Sequence, residues 1–250
     1  MKKKKIEGLS IAVTVGDKVD YIKGFGYANK EERIDVTEKT VFKVGSISKV
    51  FTGMAIMQLQ EQGKLNIDDP VTKYLPEFKP KKQEPDWEPI TIRMILTHHS
   101  GIPSEWYMDM MTRREDIITT DEMIKSMNQH YLAAPPNTIL SYSNAAITLL
   151  GKLIERVSGE KFEDYVDNHI LKPSGMNLSS FQQSEEIKKH LSKGYVKGKD
   201  YGWINTTLTP AGMLLSNAED MAQFMIMINN GGNIDGQKIL KQATIESMWT

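Results

Sequence analysis

Cysteine is absent from all 250 residues. That excludes disulfides, Cys-ligated zinc and thiol nucleophiles, and it is compatible with export in a form without cross-links. A surplus of charge is also missing: 31 Lys and Arg against 32 Asp and Glu leave a net charge of −1. Nucleic-acid binders normally carry a basic excess, so that class is set aside. No run reaches transmembrane length, and the most apolar late stretch, Met221 to Ile228, covers only about two helical turns. The opening Lys2-Lys3-Lys4-Lys5 resembles the basic start of a signal peptide, but Glu7, Gly8 and Ser10 interrupt any apolar run behind it. There are no internal repeats and, beyond those lysines, no low-complexity segment. What remains is an ordinary soluble globular composition, 40% hydrophobic and 25% charged. The length suits one large domain or a two-lobed unit with a sizeable core.

The stretch that organises the chain is Val44-Gly45-Ser46-Ile47-Ser48-Lys49. A short apolar strand, Val41 to Val44, runs into Gly45, and an amphipathic run without proline follows from Ser46 to Gln62. The spacing predicts a helix with Ser46 at its first turn and Lys49 one turn later on the same face. A helix N-terminus offers free backbone N–H groups and positive potential, which favour a developing oxyanion. A lysine amine kept neutral by its surroundings takes a proton from a neighbouring hydroxyl. A serine capping a helix beside a solvated lysine gives the same four letters, so Ser-x-x-Lys needs further support. A second match, Ser158-Gly159-Glu160-Lys161, acts as a control. It follows the apolar-periodic run Ala145 to Val157 and falls at a helix C-terminus, where negative potential disfavours an oxyanion.

The rest of the chain reads as alternating strands and helices. Leu9 to Val15 and Val19 to Tyr27 form a hairpin about Gly16-Asp17-Lys18. Gly24 and Gly26 mark either a close backbone approach or a bulge. Residues 28 to 40 read as a loop, Val71 to Leu75 as a short helix, 79 to 89 as a surface loop, and Thr91 to Thr97 as a helix capped by Thr91. His98 and His99 are poor metal ligands, because chain neighbours rarely converge; a buried, hydrogen-bonded His98 is the better reading. Residues 104 to 134 read as two helical pieces, the second starting at Thr120 or Asp121. Their stripe of Met108, Met110, Met111, Met123 and Met127 is adaptable packing. Asn137, after Pro135-Pro136, suits a left-handed residue. A long helix follows Tyr142-Ser143-Asn144, and a shorter one runs from Phe162 to Ile170. Residues 179 to 209 show no clear period. Asn217 with Asp220 three residues on predicts a box-like start to a helix over 218–229. Gln237 to Met248 reads as a strand-like piece and one more helix.

Ser46-x-x-Lys49, then Leu96-Thr97-His98-His99-Ser100-Gly101-Ile102-Pro103, then Tyr142-Ser143-Asn144, then Pro210-Ala211-Gly212-Met213 with Ser216, Asp220 and Met221 appear in that order. The combination resembles the serine β-lactamase and penicillin-binding-protein superfamily, in the branch of class C β-lactamases, D-Ala-D-Ala carboxypeptidases and related esterases. The resemblance runs from about Gly8 to Trp249, and the set is specific although each motif alone is not. It implies an α+β fold: an antiparallel sheet flanked by helices, formed by about 1–45 with 200–250, and a mainly helical lobe over 46–199. It implies Ser46 as acylated nucleophile, Lys49 as the amine that helps deprotonate it, and Tyr142 as general base. It also implies Asn144 bonded to the Lys49 amine or the substrate, and Gly212 at the substrate site. A tyrosine base needs a neighbouring cation to lower its pKa, and Lys49 is the candidate.

The implied activity is hydrolysis of β-lactams, D-Ala-D-Ala peptides or small esters and amides through an acyl-enzyme, without metal or organic cofactor. The implied location is the bacterial cell envelope or outside the cell. A binding protein that holds a ligand without turnover is the other reading. Three positions depart from the pattern: Asn137 for Gly, His99 for Thr and Met213 for Gly. The third family motif, Lys/His-x-Gly on a late strand, has no counterpart after residue 210. A chain cut short, a chain completed by a second polypeptide, and a divergent member with weak turnover all fit; the stop in mid-pattern favours the first. Each leaves the sheet incomplete, with an apolar edge inviting self-association or a second chain. Each also removes one oxyanion donor, worth about a hundred- to a thousandfold in rate.

Overall fold

Alternating β-branched residues make the first hairpin. β1 (Gly8–Val15) and β2 (Lys18–Asn29) pair antiparallel, with Leu9 opposite Phe25 and Ile11 opposite Lys23. The computed structural model describes residues 1, 6–103, 111–112 and 117–249. In it β3 (Ile34–Asp35) adds to the far side of β2, so the sheet order is β1-β2-β3 and part of the expected loop over 28–40 is strand. Gly24 and Gly26 are close approaches: a Cβ at either would lie 2.1 Å from a carbonyl oxygen, that of Val36 or of Glu7. Register shifts sit elsewhere, at Val13/Thr14 and Tyr27/Asn29. Gly24→Ala should therefore cost about 3 kcal/mol, read as a lowered denaturation midpoint, because the atom it meets is backbone.

β4 (Phe42–Lys43) leads to a single 3-10 turn, Gly45–Ile47, and then to α1 (Ser48–Glu61). α2 (Ile92–Leu96) begins where the Thr91 side chain accepts the Met94 N–H. β5 (Met111–Thr112) precedes α3 (Thr120–Met127), whose N-cap is Thr119 in a reciprocal box with Glu122. The first helical piece expected from 104, with Met108 and Met110, lies outside the described residues apart from 111–112; Met123 and Met127 are buried. Asn137 is left-handed, with φ 64°. α4 (Asn144–Ser158) is capped by Ser143 and closed by left-handed Gly159, so the control Ser158 does sit at a helix C-terminus. α5 (Phe162–Val166) passes into a π-turn.

The unperiodic stretch resolves into α6 (Glu185–His190), the ribbon β6 (Tyr195–Val196) with β7 (Lys199–Asp200), and β8 (Asn205–Thr206) paired with β5. α7 (Thr209–Gly212), β9 (Leu215–Ser216) paired with β4, and α8 (Ala218–Asn229) follow. β10 (Asn233–Ile234) with β11 (Gln237–Lys238) and α9 (Gln242–Ser247) complete the described chain.

These elements form two compact units. One comprises Met1–Val44, Val166–Trp203 and Leu214–Thr250. In it α8 packs on the small-residue face of β1, made of Gly8, Ser10, Ala12 and Thr14, while Leu9, Ile11, Val13 and Val15 point outward. Among the described residues β1 pairs with β2 alone. Residues 166–199 join this unit rather than the helical one, and Asp220 is among the residues that tie them in. Its carboxylate accepts the Leu178 N–H at 2.8 Å and the Ser179 hydroxyl at 2.7 Å. The expected box at Asn217 is therefore half formed: Asn217 accepts the Asp220 N–H, and the Asp220 side chain turns to the 178–179 turn instead.

The other unit comprises Gly45–Tyr165 and Ile204–Met213. α1 lies at its centre: Phe51, Met54, Ala55, Ile56 and Leu59 are fully buried, so apolar residues occupy nearly every side of the helix. α4 and α7 pack against it. Each large apolar side chain so buried contributes about 1.5–3 kcal/mol. Among the described residues no helix is long and apolar enough to cross a membrane.

Candidate active site

Gly45 takes a left-handed φ of 58° and turns the chain out of the strand. The 3-10 turn that follows carries Ser46, pinned by the Ser48 hydroxyl donating to the Gly45 carbonyl at 2.6 Å. The expected helix thus begins two residues later than the sequence spacing alone predicts, with Ser46 in the tight turn leading into it. The first N–H groups of a helix have no intrahelical acceptor, so the turn keeps its donors and positive potential beside the Ser46 hydroxyl.

Three side chains from two distant parts of the unit meet there. The Tyr142 hydroxyl donates to Ser46 Oγ at 2.8 Å, and Lys49 Nζ donates to the same oxygen at 3.2 Å. Lys49 Nζ also donates to the carbonyl of Ala211 at 2.7 Å and lies 4.7 Å from the centre of the Tyr142 ring. Partial burial alone would push the Tyr142 phenol up; Lys49, by hydrogen bonding and charge, and Ser46 outweigh it and leave the phenol below its usual range. Tyr142 stays 43% exposed, so it can meet a solute.

Asn144 is the first residue of α4, two positions beyond Tyr142, and no hydrogen bond joins it to Lys49. Gly212 sits at the end of α7 with its N–H committed to the Leu208 carbonyl at 3.0 Å. That donor is occupied within the turn, so the segment reaches the site through the Ala211 carbonyl instead. Sequence reasoning passes over Ala211 because the group that acts is backbone, which any residue supplies. Thr52 is a second such omission: its buried hydroxyl donates to the Pro210 carbonyl at 2.7 Å and fixes the strap carrying Ala211. Thr52→Val keeps the shape and leaves that carbonyl unpaired. It should destabilise the fold by about 1–3 kcal/mol in a denaturant titration.

His98 is hydrogen-bonded as expected, though half-buried rather than buried: its Nδ1 accepts the Ser143 N–H at 3.2 Å. Its imidazole is pushed below the usual range by burial, then by Lys49 and His99. Among the described residues no group of three His, Asp or Glu side chains could hold a metal ion. A cavity of ≈ 210 Å³ elsewhere in this unit, with Thr148, Lys152, Thr207 and Pro210 in its wall, contains none of the three converging residues.

The β-lactamase family profile matches residues 1–250. PbpX of Bacillus subtilis (strain 168), provisionally named a penicillin-binding protein, is 34% identical over 238 residues, covering 91% of this chain and 55% of that protein. Protein flp of Staphylococcus aureus (strain N315) is 30% identical over 231 residues, covering 90% of this chain and 46% of that protein. The chain thus spans about half the length of the curated relatives it matches. The structure of the octameric penicillin-binding protein homologue from Pyrococcus abyssi superposes with a TM-score of 0.83 at 36% identity, over 100% of this chain and 57% of that one. The chain belongs to the β-lactamase family.

Proposed function

We propose that the protein is a serine hydrolase working through an acyl-enzyme on β-lactams, D-Ala-D-Ala peptides or small esters and amides. One observation carries this reading: the Ser46 hydroxyl lies within hydrogen-bonding distance of both the Tyr142 phenol and the Lys49 amine. Ionised Tyr142 accepts the Ser46 proton as Oγ attacks the substrate carbonyl. The tetrahedral adduct collapses when Tyr142 returns that proton to the departing nitrogen or oxygen, leaving the acyl group on Ser46. Water then attacks the ester, and Ser46 recovers its proton. Lys49, held by the Ala211 carbonyl, supplies the positive charge that keeps the phenolate accessible.

A fluorescent penicillin and a chromogenic ester, run side by side with intact-mass spectrometry, test the reading. A covalent mass located on the Ser46 peptide supports it. Saturable binding without added mass would instead mark a protein that holds its ligand unchanged.

The lowered Tyr142 phenol gives an expected pH dependence. A base acts only when ionised, so acylation rises with pH along a one-proton limb whose midpoint lies below the ordinary phenol value of about 10. Tyr142→Phe should flatten that limb and slow acylation by about a thousandfold, measured by stopped-flow fluorescence. An unchanged limb in that variant would assign the proton transfer to another group.

A further inference from the structure

The residue that ends α2 is conformationally expensive. Thr97 caps the helix, and His98 follows with φ 59°, the left-handed position that glycine or asparagine usually fills. Holding a histidine there costs about 1 kcal/mol. What the chain obtains is visible in the partners. The His98 carbonyl accepts the Ser141 N–H at 2.7 Å, and His98 Nδ1 accepts the Ser143 N–H at 3.2 Å. Residue 98 thus holds the peptide N–H groups on both sides of Tyr142. Its ring also packs on the Tyr142 ring, centroids 4.4 Å apart and tilted by 37°.

We infer that His98 is a positioning residue for Tyr142, its neutral imidazole clamping the base so that the phenol oxygen is aimed at Ser46. The inference rests on the reading of Tyr142 as base given above. The clamp requires the tautomer with the proton on Nε2, because Nδ1 accepts a hydrogen bond. Protonation would put a second N–H against the Ser143 N–H, and a second positive charge beside Lys49. The titratable groups facing the ring are Lys49 from α1, His99 from its own turn, and Tyr142. Burial and the Lys49 charge resist imidazolium formation, so the clamp stays closed through neutral pH and opens in acid.

Two variants separate the clamp from mere packing. His98→Gly keeps the left-handed backbone and loses both the acceptor and the ring; His98→Asn keeps the backbone preference and places an amide oxygen near the Nδ1 position. His98→Gly should acylate about a hundredfold more slowly, the scale of a misplaced reacting group, with His98→Asn recovering most of that loss. In the parent, the acylation rate should steepen from a one-proton to a two-proton dependence below the His98 pKa. His98→Asn should keep the one-proton slope. If both variants acylate like the parent, or if the second proton survives in His98→Asn, the inference is overturned.

A measurement independent of turnover runs beside these. Long-range ¹⁵N–¹H spectra of the parent should show His98 as the Nε2–H tautomer at pH 7. Acidification should move the Tyr142 and Ser143 amide resonances along with the His98 ring. A charged His98 or an Nδ1–H tautomer at pH 7 refutes the clamp whether or not the protein turns over. A parent that shows the correct tautomer but takes no acyl group refutes the hydrolase reading instead.

Discussion

Ser46→Ala is expected to take up no covalent label and to turn over about ten-thousandfold more slowly than the parent, if at all. The argument is one of substitution by nothing. Ser46 Oγ is the atom on which the Tyr142 and Lys49 hydrogen bonds converge, so removing it leaves base and cation with no oxygen to act upon. Ser46 lies in the turn ahead of α1, whose N-cap is Ile47, and alanine adds no bulk there, so the fold should persist and the thermal midpoint should change little. The informative measurement is intact mass after incubation with a fluorescent penicillin. An adduct of unchanged stoichiometry on Ser46→Ala would move the nucleophile elsewhere and sink the proposed chemistry.

Lys49→Ala is expected to be nearly as severe, about ten-thousandfold in acylation, through a different route. Lys49 has three partners: the Ser46 oxygen, the Ala211 carbonyl and the face of the Tyr142 ring. Its loss releases the strap at Ala211 and removes the charge that holds the Tyr142 phenol down. The pH–rate limb should therefore shift upward toward the ordinary phenol value as the rate falls, a signature that Ser46→Ala cannot give. Lys49→Arg should not rescue: the charge is kept, but the planar fork of a guanidinium does not fit the site of a compact ammonium. An acylation rate within about tenfold of the parent in Lys49→Ala would show that Tyr142 needs no cation.

Much of the site can be read in the sequence because its side chains are chemically distinctive. Ser46 and Lys49 are one helical turn apart, and Tyr142 stands beside a serine N-cap that announces a helix. Ala211, Thr52 and the clamp role of His98 cannot be read in the same way. Ala211 acts through its carbonyl and Thr52 through a bond to a carbonyl 158 positions away, so residue type carries no signal. His98 occupies a left-handed position that sequence rules assign to Gly or Asn, and nearby Gly101 draws that expectation to itself.

The fold divides along similar lines. Strong local signals, the first hairpin, α1, α4 and α8, appear close to where the periodicity puts them. The two-residue strands β6 to β9 are too short to show a period of two; β8 and β9 exist through long-range pairing, such as Phe42 with Ser216, while β6 and β7 pair with each other across a tight turn. Residues 166–203 are likewise tied in by distant bonds, Asp220 with Leu178 and Ser179, Ser180 with Leu215 and Ser192 with Val41, contacts no local window contains.

The glycines of the first hairpin have one more consequence. Because Gly8 and Gly26 admit the Tyr27 and Glu7 carbonyls where any side chain would collide, a one-residue slip of β1 along β2 would drive a side chain into backbone. The row of aliphatic groups from Leu9 to Val15 is therefore always shown at the same height and spacing. Whatever strand or surface comes to lie along it meets a fixed template, and must match its phase rather than negotiate one.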